Sequence, residues 1–185
     1  MAPSDPDAFR VDLRPLRRQP GAAWHVARSG VAPAEWAVGT IGVPEGEPID
    51  LDVDLEAVGE GVLATGRATF QLSGQCARCL APIRRPGAAT FQELFVYPGH
   101  SEDDEDASRV RADAVDLLPV VRDTIVLDLP LVPLCDDDCL GLCAECGANL
   151  NDEPSHAHGA TPDARWAGLS GLVVSQSENV AGEPA

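Results

Sequence analysis

Lysine is absent from the sequence, and its thirteen basic residues are all arginine. Thirty acidic residues outnumber them, so that the formal net charge is −17 at pH 7. Proteins that bind nucleic acid tightly neutralise phosphates with basic side chains. The shortage of basic residues therefore argues against general nucleic-acid binding. It favours a basic protein as the partner, although acidity alone also serves solubility.

Long apolar runs are also missing. No stretch approaches the roughly 20 apolar residues of a transmembrane helix, and residues 1–8 lack the basic and apolar regions of a signal peptide. These absences predict a cytoplasmic protein. The 185 residues, 44% of them hydrophobic, predict one domain with a hydrophobic core. In the cytoplasm, clustered cysteines more often bind metal or catalyse reactions than form disulfides.

The common catalytic motifs are absent too. The sequence has no Gly-rich phosphate loop, no H-E-x-x-H and no G-x-S-x-G, and His25 and His100 are isolated. We therefore expect no enzymatic activity. A thiol oxidoreductase is the alternative, because Cys76 and Cys79 have the spacing of a redox pair. A thioredoxin-like pair, however, opens a helix in a βαβ unit, whereas Pro82 soon follows this pair in an antiparallel neighbourhood.

Cysteines are present in two clusters and nowhere else. The first cluster is Cys76-x-x-Cys79, and the second comprises Cys135, Cys139, Cys143 and Cys146. His156 and His158 follow and lie on one face of an extended segment, which gives eight candidate ligands in all. Eight ligands suit two tetrahedral zinc sites, since zinc prefers four Cys or His ligands. The composition of the clusters thus predicts one or two bound Zn²⁺ ions.

Three ligand groupings are open. The preferred one places Cys76, Cys79, Cys135 and Cys139 in one site and Cys143, Cys146, His156 and His158 in the other. The second is an all-cysteine site within residues 135–146, for which Gly141 provides the freedom to turn. The third is one site formed by the two Cys-x-x-Cys motifs, Cys76 with Cys79 and Cys143 with Cys146. The run Asp136–Asp138 opposes all three, because carboxylates raise the pKa of nearby thiols. Arg78 could compensate if the two cysteine clusters meet.

Alternating residues predict an antiparallel sheet. Apolar residues alternate with acids over residues 49–57, Gly59-Glu60-Gly61 supplies a turn, and residues 62–72 form the return strand that leads to Cys76. Further strands are predicted around Phe9–Leu13, Trp24–Val26, Trp36–Val38 and 88–97. Pro82, Pro86 and Gly87 are expected to turn the chain before the last of these.

One central helix is predicted after the sheet. Asp116 fits its N-cap, Pro119 falls in its first turn, and Leu129 before Pro130 should end it. A short C-terminal helix is predicted over residues 161–174. The fold class is therefore α+β, a mainly antiparallel sheet with one central helix, a short C-terminal helix and Cys-rich metal-binding loops.

The chain divides into five predicted segments. A disordered lead (1–8) precedes an α+β body (9–134), which contains an acidic loop at 100–107 where five acids stand in a row. A Cys/His-rich zinc-knuckle segment (135–160), the short helix (161–174) and a disordered tail (175–185) follow. Arg14, Arg17 and Arg18 form the one local basic cluster, which would contact either RNA or acidic residues of the same domain.

These motifs together resemble the YceD family, which is linked to accumulation of the large ribosomal RNA. The resemblance covers about residues 9–172 and is most specific from 116 to 150. Its elements are Cys76-Ala-Arg-Cys79-Leu80, the helix segment from Asp116 to Pro130, the motif Cys135-x-x-x-Cys139-x-Gly-Leu-Cys143-x-x-Cys146-Gly147, Asn149-Leu150 and the segment from Asp163 to Leu169. Two departures are Ala144, where the family often has proline, and the acidic run at 136–138.

The resemblance implies a non-enzymatic factor in biogenesis of the large ribosomal subunit that supports accumulation of 23S rRNA. Its implied partner is a small basic ribosomal protein of that subunit, or a large-subunit precursor that contains one. It also supports a ligand role for His156 and His158. The rival reading is a zinc-dependent RNA-binding module that uses five arginines, namely Arg14, Arg17, Arg18, Arg84 and Arg85.

Overall fold

A computed structural model describes residues 7–16, 19–100, 107–159 and 165. Its elements are β1 (Arg10–Asp12), β2 (Ala23–Val31), β3 (Trp36–Val38), β4 (Ile41–Val43), β5 (Pro48–Ala57), β6 (Gly61–Gln75), β7 (Pro82–Val96), β8 (Ala114–Asp116) and α1 (Leu118–Asp128). The larger sheet has the order β2-β5-β6-β4-β3, with β7 paired to β6 as well. Strands β1 and β8 form a second, two-stranded sheet. Every pairing between these strands is antiparallel, which confirms the predicted sheet with one helix among the described residues.

The β5–β6 hairpin is the centre of the sheet. Ile49, Leu51, Val53 and Leu55 of β5 are at most 2% exposed, whereas the acidic residues between them face solvent. This inside–outside alternation is the pattern that the sequence predicted. The hairpin turn is also where it was expected, since the Val58 N–H donates to the Gly61 carbonyl at 3.0 Å.

Strand β7 begins earlier than predicted. Pro82, Pro86 and Gly87 do not turn the chain but lie within β7, opposite Gln75, Gln71 and Phe70 of β6. Prolines are tolerated here because β7 pairs with β6 alone within its sheet, so the missing N–H groups can lie on the unpaired edge. Gly87 fits because the Phe70 ring occupies the space that a side chain would need. The reversal occurs instead at residues 76–81.

Helix α1 follows the predicted course with one correction at its start. Asp116 is not the N-cap, because it is the last residue of β8, and Leu117 takes the capping position. The Asp116 carboxylate instead accepts a hydrogen bond from the Leu118 N–H at 3.0 Å. Pro119 lies in the first turn and Leu129 ends the helix, as predicted. No helix among the described residues is both long enough and apolar enough to cross a membrane.

Several predicted segments lie wholly or largely outside the described residues. These are residues 1–6 of the predicted lead, Arg17 and Arg18 of the basic cluster, residues 101–106 of the acidic loop, and the predicted C-terminal helix and tail apart from Arg165. Within the described part, Arg14 forms a salt bridge with Asp12. The basic cluster therefore contacts acid of the same domain at that residue.

A histidine of the neighbouring strand lies against the acidic residues on the outer face of β5. His25 of β2 lies opposite Asp54, with its Nδ1 atom 3.0 Å from the Asp54 carboxylate and its Nε2 atom 3.6 Å from that of Asp52. The hydrogen bond to Asp54 and the charge of Asp52 raise the pKa of His25 above its usual value. The contact therefore contributes its full stabilisation below about pH 6.5, where His25 is protonated in both the folded and the unfolded chain. This stabilisation is lost as the pH rises through the raised pKa of the folded state.

We expect the Asp54→Asn substitution to lower the pKa of His25 towards 6.5, because the strongest stabiliser of the imidazolium is removed. NMR titration of the His25 ring measures this pKa directly. The distant Asp128→Asn substitution should leave it unchanged. An equal pKa in the wild type and the Asp54→Asn protein would contradict the assigned contact.

Candidate metal centres

Four cysteines that are distant in sequence meet at one point, which we call centre 1. Cys76 and Cys79 lie in the turn between β6 and β7, and Cys135 and Cys139 follow α1. The Cys76 and Cys139 sulfurs are 3.8 Å apart and those of Cys79 and Cys135 are 3.5 Å apart. All four sulfurs lie within 4.8 Å of one another. Around a tetrahedral zinc ion with Zn–S bonds of about 2.3 Å, sulfurs are about 3.8 Å apart, so the four thiols fit such an ion.

The turn at residues 76–81 is held by backbone hydrogen bonds that aim its sulfurs inwards. The Cys76 N–H donates to the Ala81 carbonyl at 2.8 Å, and the Leu80 N–H donates to the Cys76 carbonyl at 3.0 Å. Leu80 closes the turn in the left-handed region, at φ 61°. The Ala77 N–H donates to the Pro133 carbonyl at 2.8 Å, which fixes the turn against the segment after α1.

Electrostatics in centre 1 favour a thiolate at Cys76. Burial raises the pKa of this thiol, but backbone N–H groups of Cys79, Cys135 and Arg78 outweigh burial and lower it to about 6. Hydrogen bonding with the sulfurs of Cys79 and Cys139 raises the pKa of Cys135 to about 12. Neighbouring thiols therefore keep Cys135 protonated, and a metal ion would have to displace that proton.

The acidic run beside centre 1 has a structural use. Asp136 accepts the Asp138 N–H on its carboxylate at 3.0 Å and the Cys139 N–H on its carbonyl at 3.1 Å. These bonds form the turn that brings Cys139 back to Cys135. Arg78 donates to the Cys139 carbonyl at 2.8 Å, so the two cysteine clusters meet at this residue, which was the condition for Arg78 to compensate for the acidic run. The compensation itself stays a prediction.

Two cysteines and two histidines form a second cluster, centre 2. Cys143, Cys146, His156 and His158 have their ligand atoms within 4.8 Å of one another. The Cys146 sulfur is 3.2 Å from the Nε2 atoms of both histidines. The Cys143 N–H bonds the Ala148 carbonyl at 2.8 Å, and the Gly147 N–H returns to Cys143 at 2.9 Å. Backbone N–H groups of Cys146 and Glu145 lower the pKa of Cys143 to about 6.

Carboxylates orient both histidines of centre 2. Glu153 lies 3.2 Å from His156 Nδ1, and Glu145 lies 3.4 Å from His158 Nδ1. Glu153 forms a hydrogen bond with its histidine, whereas Glu145 makes a charge contact. With Nδ1 facing a carboxylate, each ring presents Nε2 to the centre, an arrangement common among metal-binding histidines. Neither glutamate was predicted from the sequence. Their only signal is position, one between the two cysteines and the other three residues before His156.

Asparagine and glycine residues join the two centres. Asn151 donates to the Cys139 sulfur at 3.4 Å and accepts the Leu140 N–H at 2.8 Å. Gly141 has a φ of 82°, and a side chain there would come within 3.2 Å of the Arg78 carbonyl. Glycine is therefore needed for both the conformation and the close approach.

The structure brings the eight side chains together as the preferred grouping has them. Cys143 and Cys146 lie with the histidines and not with the other four cysteines. The structure therefore shows neither a site made only of cysteines 135–146 nor a site made of the two Cys-x-x-Cys motifs. Ligand sets of four sulfurs and of two sulfurs with two imidazoles both suit zinc. Metal binding itself stays a prediction.

Fold and site together define a small antiparallel-sheet protein with two Cys/His clusters of the kind that structural zinc ions occupy. The family model described as large ribosomal RNA subunit accumulation protein YceD matches residues 64–173, which include most of β6, all of β7 and α1, and both centres. The chain belongs to the YceD family. The name describes accumulation of an RNA and not a chemical reaction.

Relatives extend the match over most of the chain. An uncharacterized protein of Mycobacterium tuberculosis is 37% identical over 177 residues, 94% of this chain and 85% of that protein. One of Mycobacterium leprae is 35% identical over 167 residues, 88% of this chain and 76% of that protein. The chloroplastic YCED homolog 1 of Arabidopsis thaliana, named a large ribosomal RNA subunit accumulation protein, is 40% identical over 37 residues, 20% of this chain and 12% of that protein. No solved structure gives a significant match.

We expect the purified, reduced protein to bind two zinc ions, and the Cys76→Ser and Cys146→Ser proteins to bind one each. Loss of Cys76 should also lower the free energy of unfolding by about 2–5 kcal/mol, the range for removal of a comparable crosslink, because Cys76 is fully buried between β6 and the segment after α1. Elemental analysis and denaturant titration measure the two effects. A metal-free wild type that keeps its fold in a strong chelator would refute both centres.

We expect Glu153→Gln and Glu145→Gln each to weaken zinc binding at centre 2 by about 10–100-fold, the effect seen when a partner of a metal-bound histidine is removed. Competition with a chromophoric chelator measures the affinity. The matched control is Asp137→Asn, which removes an exposed carboxylate of the acidic run beside centre 1. Unchanged affinity in both glutamine variants would show that the two glutamates do not support the site.

Proposed function

We propose that this protein supports accumulation of large-subunit ribosomal RNA as a non-enzymatic factor in subunit biogenesis. It would act by docking a small basic ribosomal protein, or an assembly intermediate that contains one. The observation that carries the proposal is the YceD family match over residues 64–173. The relative from Arabidopsis bears the same name.

The distribution of charge supports a basic partner. Asp50, Asp52, Asp54 and Glu56 form an exposed acidic row on β5. A second acidic region extends from α1 through both centres, since residues 123–159 contain eight acidic residues and no arginine or lysine. Carboxylates over such a length repel phosphate and attract cationic protein segments.

Zinc would support this role by fixing the conformation of two segments of the chain. Centre 1 would hold the segment after α1 against the β6–β7 turn, and centre 2 would hold residues 143–158, which contain no helix and no named strand. A segment with so little regular structure gains its fixed conformation from the metal.

The two rival functions have less support. Of the five arginines that an RNA-binding module would use, Arg14 pairs with Asp12 and Arg84 lies 3.6 Å from Glu47, while Arg17 and Arg18 lie outside the described residues. For a thiol oxidoreductase, the attacking thiolate must be accessible. Cys76 is 0% exposed and Cys79 is 7% exposed, so access of another protein to these thiols is poor.

We expect deletion of the gene to lower the ratio of large- to small-subunit ribosomal RNA, and the wild-type gene to restore it. In gradients of lysate at low salt, the protein should sediment with large-subunit particles, and high salt should release it because charge attraction is screened. An unchanged RNA ratio, or protein found only at the top of the low-salt gradient, would count against the proposal. Reduction of insulin disulfides by the purified protein would favour the oxidoreductase.

A further inference from the structure

Five large apolar side chains are exposed in the described part of the chain; four lie in the segments that form centre 1, and the fifth, Leu127, lies in the last turn of α1, which leads into one of those segments. They are Leu80, Leu127, Leu131, Val132 and Leu140, which we call the docking patch. Leu127 and Leu131 are 86% and 82% exposed. Single exposed leucines need no explanation, but a concentration of them in one region marks an interaction surface.

Hydrogen bonds hold the segments of the patch side by side. Leu127 is in the last turn of α1, and Leu131 and Val132 follow it directly. The next residue, Pro133, accepts the Ala77 N–H at 2.8 Å, which brings the turn that contains Leu80 alongside. The Arg78 side chain bonds the Cys139 carbonyl at 2.8 Å, which brings Leu140 alongside as well. Four of the five side chains therefore belong to one region built around the four sulfurs of centre 1. Leu127 extends the patch along α1, where it lines a surface cavity with Arg67, Ala88 and Thr90.

Carboxylates accompany these apolar side chains. Asp128 is next to Leu127, and Asp136, Asp137 and Asp138 lie between Val132 and Leu140 in sequence; all four are exposed. Arg67 lines a surface cavity with Asp128, and Arg78 lies in the turn beside Leu80. Residues 123–159 nevertheless contain eight acidic residues and no basic residue, so the surface is acidic on balance. A partner that covers the patch must therefore supply both apolar side chains and positive charge.

We propose that the docking patch binds an amphipathic basic segment of a partner protein, with apolar side chains against Leu127 and Leu131 and lysine or arginine opposite the neighbouring aspartates. This rests on the proposed function and assigns its docking surface and the chemistry of its partner. The acidic row of β5 is then not the docking surface, since it has charge but no exposed large apolar residue.

Other occupants fit the charge less well. A second copy of this chain would bring the same carboxylates and a net charge of −17. Residues 160–185 contain three acidic residues and one arginine, so the chain's own C-terminal segment does not complement the patch either. Nucleic acid and anionic lipid are repelled by the aspartates. A cationic, partly apolar protein segment complements both the exposed apolar side chains and the negative charge of the surface.

The test uses the full-length, zinc-loaded protein and a synthetic amphipathic helix made of leucine and lysine. We expect the peptide to bind, and the Leu127→Gln/Leu131→Gln protein to bind it about tenfold more weakly or worse, as for central apolar residues of an interface. Asp137→Asn/Asp138→Asn should slow association and reduce its salt dependence. The matched control, Asp52→Asn/Glu56→Gln, removes the same charge from β5 and should change the affinity less than twofold.

Several outcomes would overturn the inference. One is equal affinity for a peptide in which alanine replaces every leucine, which would show that charge alone binds. Others are unchanged binding by Leu127→Gln/Leu131→Gln, or a larger loss in the β5 control. A wild-type dimer that this leucine variant abolishes would assign the patch to a second copy, and tighter peptide binding by Trp166→Gln would assign it to the C-terminal segment. None of these outcomes changes the expected ratio of large- to small-subunit ribosomal RNA. The docking patch can therefore be refuted without refuting the proposed function, and the reverse also holds.

Discussion

Four cysteine sulfurs within 4.8 Å of one another are the constraint on which the second half of the fold depends. The pairs in contact are 63 and 56 residues apart in the chain, so their meeting fixes the β6–β7 turn relative to the segment after α1. Thiolates at this distance repel one another, and thiols would leave weak hydrogen bonds in a buried place. A divalent cation would resolve the conflict by neutralising charge and supplying four bonds, so that metal binding and folding would be coupled.

The two centres differ in what surrounds them. Cys76 and Cys139 of centre 1 are buried in the hydrophobic core, at 0% and 3% exposure. Centre 2 lies outside that core, in turns, and its Cys146 is exposed. Loss of metal from centre 1 would therefore loosen the sheet and helix, whereas loss from centre 2 would affect mainly residues 143–158. Asn151, which bonds both Cys139 and Leu140, is one direct link between the two regions.

Local patterns predicted much of this architecture, and long-range pairing explains what they missed. Alternation over residues 49–57 was sufficient for β5, and the Leu129-Pro130 step was sufficient for the end of α1. Pro82 and Pro86 were misread as a turn because only the sheet order reveals that β7 has an unpaired edge. Asp116 was misread as a cap because its pairing with Arg10 is not visible in sequence. Glu145 and Glu153 were missed because their role depends on where the histidine rings point.

The docking patch and centre 1 occupy the same segments, and this has a consequence for how a partner would be recognised. Leu80, Val132 and Leu140 are each within four residues of a centre 1 cysteine. The bonds that place them, from Ala77 to Pro133 and from Arg78 to Cys139, are the same bonds that close the centre. A metal ion there would preorganise the patch, which reduces the entropy cost of binding. Metal occupancy and partner affinity would then be linked, although no ligand atom touches the partner.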